Sequence, residues 1–338
     1  MRVRKVYASL IVVAVAAVAL VAEISGHGQA PAAPRKAAAY RAPRTAWGQP
    51  DIHGDYTNKD EANTPLERPD QLAGKDQGTF TEADLARLAK ERAAAAQQFA
   101  GGIGGAETGA GPTHWYDHLG AKGSRPWFII DPPDGRLPPM TPQALRHEAA
   151  VALLNDARDG EGRADSPDDR SMYDRCITRG LPGSMMPAIY GNAYQIVQAP
   201  DTIAIRYEMI HETRIIPLDG RPHVGAGVRE LMGDARGHFD GDTLVVETTN
   251  FTGRTHFGYN NRYNSEKLRL VERFTPIGPG RLNWEVTVND PEVWTRPWTF
   301  AMTLTKDDSQ PVFEYACHEG NYGLEHIFLA ARAEEHRP

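Results

Sequence analysis

Cysteine is scarce in this chain: two residues, Cys176 and Cys317, among 338. A pair that far apart excludes a zinc ribbon, and in an oxidising compartment a lone pair usually bridges. Closing a loop of about 140 residues is valued at roughly 4–5 kcal/mol by the chain-entropy model, an upper figure. The rival reading of either residue is a reactive thiol. A basic stripe is also missing. The net charge is −7, so nucleic acid is not expected as a partner. The catalytic signatures that could be read directly are absent as well. Ser184 has no G-x-S-x-G elbow, and there is no dinucleotide fingerprint, no HExxH and no His-x-His. The glycine-rich stretch Gly101 to Gly111 lacks the Gly-Lys-Ser/Thr ending of a phosphate loop and reads as a flexible loop. No cofactor is therefore expected.

What is present begins with an address. Arg2, Arg4 and Lys5 precede an apolar run from Ser9 to Val21, and small residues Gly28 and Ala30 follow. This is the order of a secretory signal, with cleavage predicted after Ala30 and a periplasmic or secreted product. The run is shorter than the roughly 20 residues of a spanning helix, so no stable membrane span is expected after cleavage. Residues 31–46 have no periodicity and read as a disordered leader. Residues 47–338 read as a single β-rich domain, with helical decoration over 47–170.

Thr81 with Asp84 three residues on predicts a helix over 82–99, and Thr141 followed by Pro142 predicts a second one to 156. Short β runs follow at Ala193–Ala199, Thr202–Ile210, Thr213–Leu218, Thr243–Asn250, Leu268–Thr275, Arg281–Val288, Trp298–Thr305 and Val312–Tyr315. Turn residues divide them and no helix intervenes, so the sheet is antiparallel and the fold is mainly β, a barrel or a sandwich. Gly323 to Glu335 reads as a C-terminal helix.

Four segments look familiar as a set: Thr64-Pro65-Leu66-Glu67-Arg68-Pro69, Asp131-Pro132-Pro133-Asp134-Gly135-Arg136, Cys176 to Gly183 (CITRGLPG), and Cys317 to Glu325 (CHEGNYGLE). Together they resemble a family of uncharacterised secreted bacterial proteins of about this length, and the resemblance brings no activity with it. Gly54-Asp55-Tyr56 also resembles the G-x-W strand of lipocalin-like barrels, with Tyr56 where Trp is expected.

Strand alternation nominates residues for chemistry. His211 continues the row Ile203, Ile205, Tyr207, Met209, and Glu272 lies between Leu270 and Phe274. An inward histidine and a buried carboxylate are the parts of an acid/base pair; the structural alternative pairs Glu272 with Arg214 or Arg273. The densest polar cluster is His318, Glu319, Asn321 and Tyr322 beside Cys317, and a disulfide brings Arg179 alongside. Glu319 and Asn321 read equally well as caps of the last helix. Arg221 and His223 follow a strand and suit a cavity mouth, and Trp294 and Trp298 suit a stacking platform or a core. His211, His223, His318 and Glu319 form the one His/carboxylate set to test for a divalent metal. The expectation is an enzyme of the hydrolase, lyase or isomerase kind acting on a small organic or sugar-derived molecule. His211 with Glu272, or His318 with Glu319, would move the proton. The alternative is a lipocalin-like carrier of an apolar ligand.

Overall fold

A computed structural model describes residues 40–103, 123–156, 164–188, 190–255, 257, 263–309 and 311–336. The expected signal, and the leader as far as residue 39, lie outside them. The leader's last residues are ordered, against expectation: Ala42 is buried and Arg44 pairs with Asp242.

Ten strands carry the fold: β1 Gly54–Thr57, β2 Ile129–Asp131, β3 Ala193–Gln198, β4 Thr202–Tyr207, β5 Thr213–Pro217, β6 Asp234–Asp240, β7 Thr243–Thr249, β8 Arg269–Gly278, β9 Arg281–Asn289 and β10 Trp298–Lys306. Among the described residues three α-helices join them: α1 Glu82–Ile103, α2 Pro142–Asp156 and α3 Tyr322–Glu335. The strand order is β5-β4-β3-β1-β10-β9-β8-β7-β6, with β2 sharing the β10 edge that β1 also uses. Apart from β2, each strand lies beside its neighbour in sequence, and β10 returns to β1. This is an up-and-down antiparallel barrel of nine strands, nearly closed.

Parity explains the gap. Every ladder is antiparallel, and a ring with an odd number of strands must contain one parallel pair. That pair is β5 and β6, which form no ladder. The two strands still touch through side chains. A Cβ on Gly237 of β6 would fall 2.8 Å from both Ile216 Cγ2 and Leu218 Cδ2, so only glycine admits this approach.

Large side chains fill the barrel. Tyr194, Ile205, Leu244, Leu270, Phe274, Trp284, Val286, Phe300 and Leu304 are all fully buried, each on the inward side of an alternating strand. The outer face of β10 is buried too, because the segment before β3 lies over it. Ala301 N bonds to Phe128 O at 3.0 Å. Buried Glu61 accepts Ser124 N through both oxygens and Thr303 N at 3.2 Å. Burial raises the Glu61 pKa against those hydrogen bonds.

One predicted strand is missing and one observed strand is unpredicted. Val312–Tyr315 forms no strand, and β6 was not expected. Among the described residues no helix is long and apolar enough to cross a membrane.

Candidate functional site

Cys176 and Cys317 form a disulfide, S–S 2.05 Å, with their Cα atoms 5.7 Å apart. It ties the turn before β3 to the segment that leads into α3. The turn is wound by local bonds: Asp174 N to Ser171 Oγ at 3.0 Å, Cys176 N to Tyr173 O at 2.9 Å and Ile177 N to Met172 O at 2.8 Å. Asn321 serves the same junction twice. Its carbonyl oxygen accepts Leu324 N at 3.4 Å and so caps α3, while its amide donates to Asp174 O at 3.3 Å. The capping reading of Asn321 therefore holds, and the same residue also joins the two tethered segments.

An open cleft of about 690 Å³ lies beside the staple, within the range of small-molecule sites. Tyr173, Asp174, Tyr190, Tyr315, Glu319 and Asn321 contribute to its wall with both cysteines. Tyr190 and Tyr315 stack with ring centres 6.1 Å apart and hydroxyls 3.3 Å apart. Arg179 places its guanidinium carbon 5.7 Å from the centre of the Tyr173 ring. Burial, then the neighbouring Tyr190, pushes the Tyr173 hydroxyl up to about 12, although Arg179 pulls the other way. Tyr315 is raised for the same first cause, with the Tyr190 hydrogen bond adding to it. At neutral pH these phenols stay protonated and act as donors.

The predicted residues distribute as follows. Glu319, Asn321 and the disulfide meet at this cleft, whereas Arg179 is not in its wall and lies against the Tyr173 ring. His318 and Tyr322 are exposed beside it, and Tyr322 stacks on His326 at 6.4 Å. His211 does not continue the inward row of β4. That strand ends at Tyr207, and a turn with φ of 66° at Ile210 and 50° at His211 swings the ring outward. His211 is exposed and its Nδ1 donates to Tyr315 O at 2.9 Å, so it braces the cleft wall.

Glu272 is inward and fully buried, and Arg214 Nη2 lies 2.6 Å from its Oε2. Trp284 Nε1 donates to its other oxygen at 3.2 Å, and Arg214 donates to Thr248 Oγ1 at 2.5 Å. Burial disfavours the Arg214 charge, but Glu272 and then Tyr207 outweigh it and hold the cation. His211 and Glu272 therefore share no cavity, and Glu272 takes its structural alternative, with Arg214 rather than Arg273.

Arg221 pairs with Asp219 on an exposed turn. His223 binds Asp234 Oδ2 at 2.8 Å and approaches Glu247 at 3.5 Å, in a surface charge cluster with Arg236 and Arg269. Trp294 and Trp298 are buried and pack edge to face at 5.8 Å. They are core, because β10 is covered on both sides. Among the described residues no group of three or more His, Cys, Asp or Glu could hold a metal. The set His211, His223, His318 and Glu319 is not among such groups; His211 bonds Tyr315 O and His223 bonds Asp234.

Sequence reading missed the three tyrosines. They come from separate segments, and the only signal for Tyr173 and Tyr315 is their closeness to Cys176 and Cys317.

No family model matches the chain, and no curated protein matches it. Among solved structures it is similar to a secretary abundant heat soluble (SAHS) protein from Ramazzottius varieornatus, at 14% identity and a TM-score of 0.22. The match covers 41% of this chain and 89% of that one, an overlap too slight to carry a role from one to the other.

Proposed function

We propose that this protein is a secreted or periplasmic binder of a small molecule, and that the ligand lies in the disulfide-tethered cleft rather than inside the barrel. The observation that carries this reading is the open cleft of about 690 Å³ with three tyrosines in its wall. Protonated phenols offer rings to stack on and hydroxyls to bond with, which suits a ring-shaped ligand. The disulfide supports an oxidising compartment. The apolar N-terminal run with its basic start, and the resemblance to uncharacterised secreted bacterial proteins, agree with that address. The barrel interior supports a carrier less well, because side chains occupy it.

A screen of small cyclic compounds by thermal shift tests the reading. Hits that stabilise the wild type and lose their effect in Tyr190→Ala and Tyr315→Ala are expected. Hits that stabilise both variants as much as the wild type would move the site elsewhere.

A second reading keeps acid/base catalysis, with His318 and Glu319 at the cleft edge. It rests on Glu319 contributing to the cleft wall. Turnover unchanged by alanine at both positions would remove it.

A further inference from the structure

The charged and aromatic groups of the cleft wall favour one sign of ligand. Among the described residues the wall carries two carboxylates, Asp174 and Glu319, and no lysine, arginine or histidine. Asp174 accepts Ser171 N at 3.3 Å and has Arg170 at 3.6 Å. Glu319 is exposed and has no ion-pair partner among the described residues. Its charge is therefore left for whatever enters the cleft.

The rest of the wall agrees with the carboxylates. Tyr173, Tyr190 and Tyr315 are in it, and the electron-rich face of an aromatic ring attracts cations. Tyr173 already has one: the Arg179 guanidinium carbon lies 5.7 Å from its ring centre. Among the described residues no cation lies against the rings of Tyr190 and Tyr315. Burial pushes the Tyr173 hydroxyl up to about 12 and raises that of Tyr315 as well. At neutral pH these two phenols add dipoles and no charge. The nearby guanidiniums of Arg170 and Arg179 lie outside the wall, and each is matched to one wall residue, Asp174 or Tyr173. An anion entering the cleft would meet two carboxylates, and a neutral ring would leave both unused. The net charge of −7 adds a long-range pull on cations.

We infer that the cleft takes a small ring-bearing organic cation, its positive group held by Glu319 and the tyrosine wall. This rests on the binding reading above and adds the ligand's charge to it. Cation–π attraction and an exposed carboxylate are each modest alone, so the expected selectivity is moderate and weakens with salt.

The test uses the purified disulfide-bonded protein at low ionic strength and three probes of like size and different charge. They are tyramine, a cation; 2-(4-hydroxyphenyl)ethanol, neutral; and 4-hydroxyphenylacetate, an anion. Amide-resolved NMR titration reads both affinity and location. Tyramine is expected to bind roughly three- to tenfold more tightly than the neutral alcohol, and the anion most weakly. Shifts should concentrate at Cys176, Tyr315 and Glu319. Glu319→Gln should shrink the preference for tyramine, and Glu319→Lys should abolish it; the position is exposed, so both variants should fold. Equal binding of tyramine and the alcohol, tighter binding of the anion, or a preference unchanged in Glu319→Lys overturns the cation assignment and leaves the binding reading standing. Absence of any cleft shift with all three probes at millimolar concentration sinks the binding reading as well.

Discussion

The barrel interior and the disulfide cleft handle polar groups in opposite ways. Inside, Glu272, Arg214, Thr248 and Trp284 are bonded to one another among apolar neighbours. At the cleft, the phenols of Tyr173, Tyr190 and Tyr315 stand around open space. The interior pair costs desolvation that its own attraction and hydrogen bonds offset. The cleft phenols of Tyr315 and Tyr190 meet at 3.3 Å but keep open space beside them, as a small-molecule site does. A buried carboxylate on a strand is thus a poor guide to chemistry in this protein. The better guide is open space with polar side chains in its wall.

The largest effect should follow from breaking the interior pair. Glu272→Ala leaves Arg214 buried and uncompensated. A loss of roughly 3–5 kcal/mol is expected, the usual range for removing one partner of a buried pair, measured by urea unfolding. Replacing both residues together, Arg214→Met with Glu272→Leu, should cost far less. If Glu272→Ala changed stability by only a few tenths while abolishing a measured turnover, the interior would be a site after all and the contrast would fail.

The staple comes next. Removing it with Cys176→Ser and Cys317→Ser should cost roughly 2–4 kcal/mol, typical for a native disulfide. The effect should also be regional. Hydrogen exchange should rise in α3 and in the turn at 171–177, while the β7–β9 ladders keep their protection, because only the first group is tied through the sulfurs, Asn321 and His211. Uniform loss of protection across the barrel would mean that the cleft segments fold only as part of the whole.

Much of this was legible in the sequence because the governing physics is local. Strand alternation placed Glu272 inward, and Thr141 with Pro142 marked the start of α2, where Ala144 N bonds to Thr141 Oγ1 at 3.1 Å. The four segments that look familiar together also meet in pairs in the fold. Arg68 N bonds to Gly135 O at 2.7 Å and Leu137 N to Glu67 at 2.9 Å, joining TPLERP to DPPDGR. The disulfide joins CITRGLPG to CHEGNYGLE.

What was not legible depended on tertiary choice. β6, Asp234–Asp240, carries Gly237 and charged residues and hides its strand character, because it borders the gap and needs glycine there. His211 was misplaced by a left-handed turn of two non-glycine residues, which no propensity scale favours. The tyrosine wall draws on positions 173, 190 and 315, and no spacing rule connects them.

The smallest expected effect separates the two regions by their phenols. Tyr194 and Tyr207 are fully buried and Tyr173 is 42% exposed, yet all three are raised above the ordinary tyrosine value of 10.0 by burial first. A raised acid holds its proton longer in the folded state than in the unfolded one. Its contribution is therefore complete below pH 10 and is lost as pH climbs through the folded value, about 12 for Tyr173. Because solvent reaches Tyr173, its share should be about 1 kcal/mol or less. Between pH 10 and 12 the stability of Tyr173→Phe should fall slightly less steeply than that of the wild type. Absorbance of phenolate should rise in the still-folded protein from Tyr173, whereas Tyr194 and Tyr207 should ionise only as the barrel opens. If phenolate from Tyr207 appeared while near-ultraviolet circular dichroism stayed native, water would be reaching the interior, and its polar groups would be as available as those of the cleft.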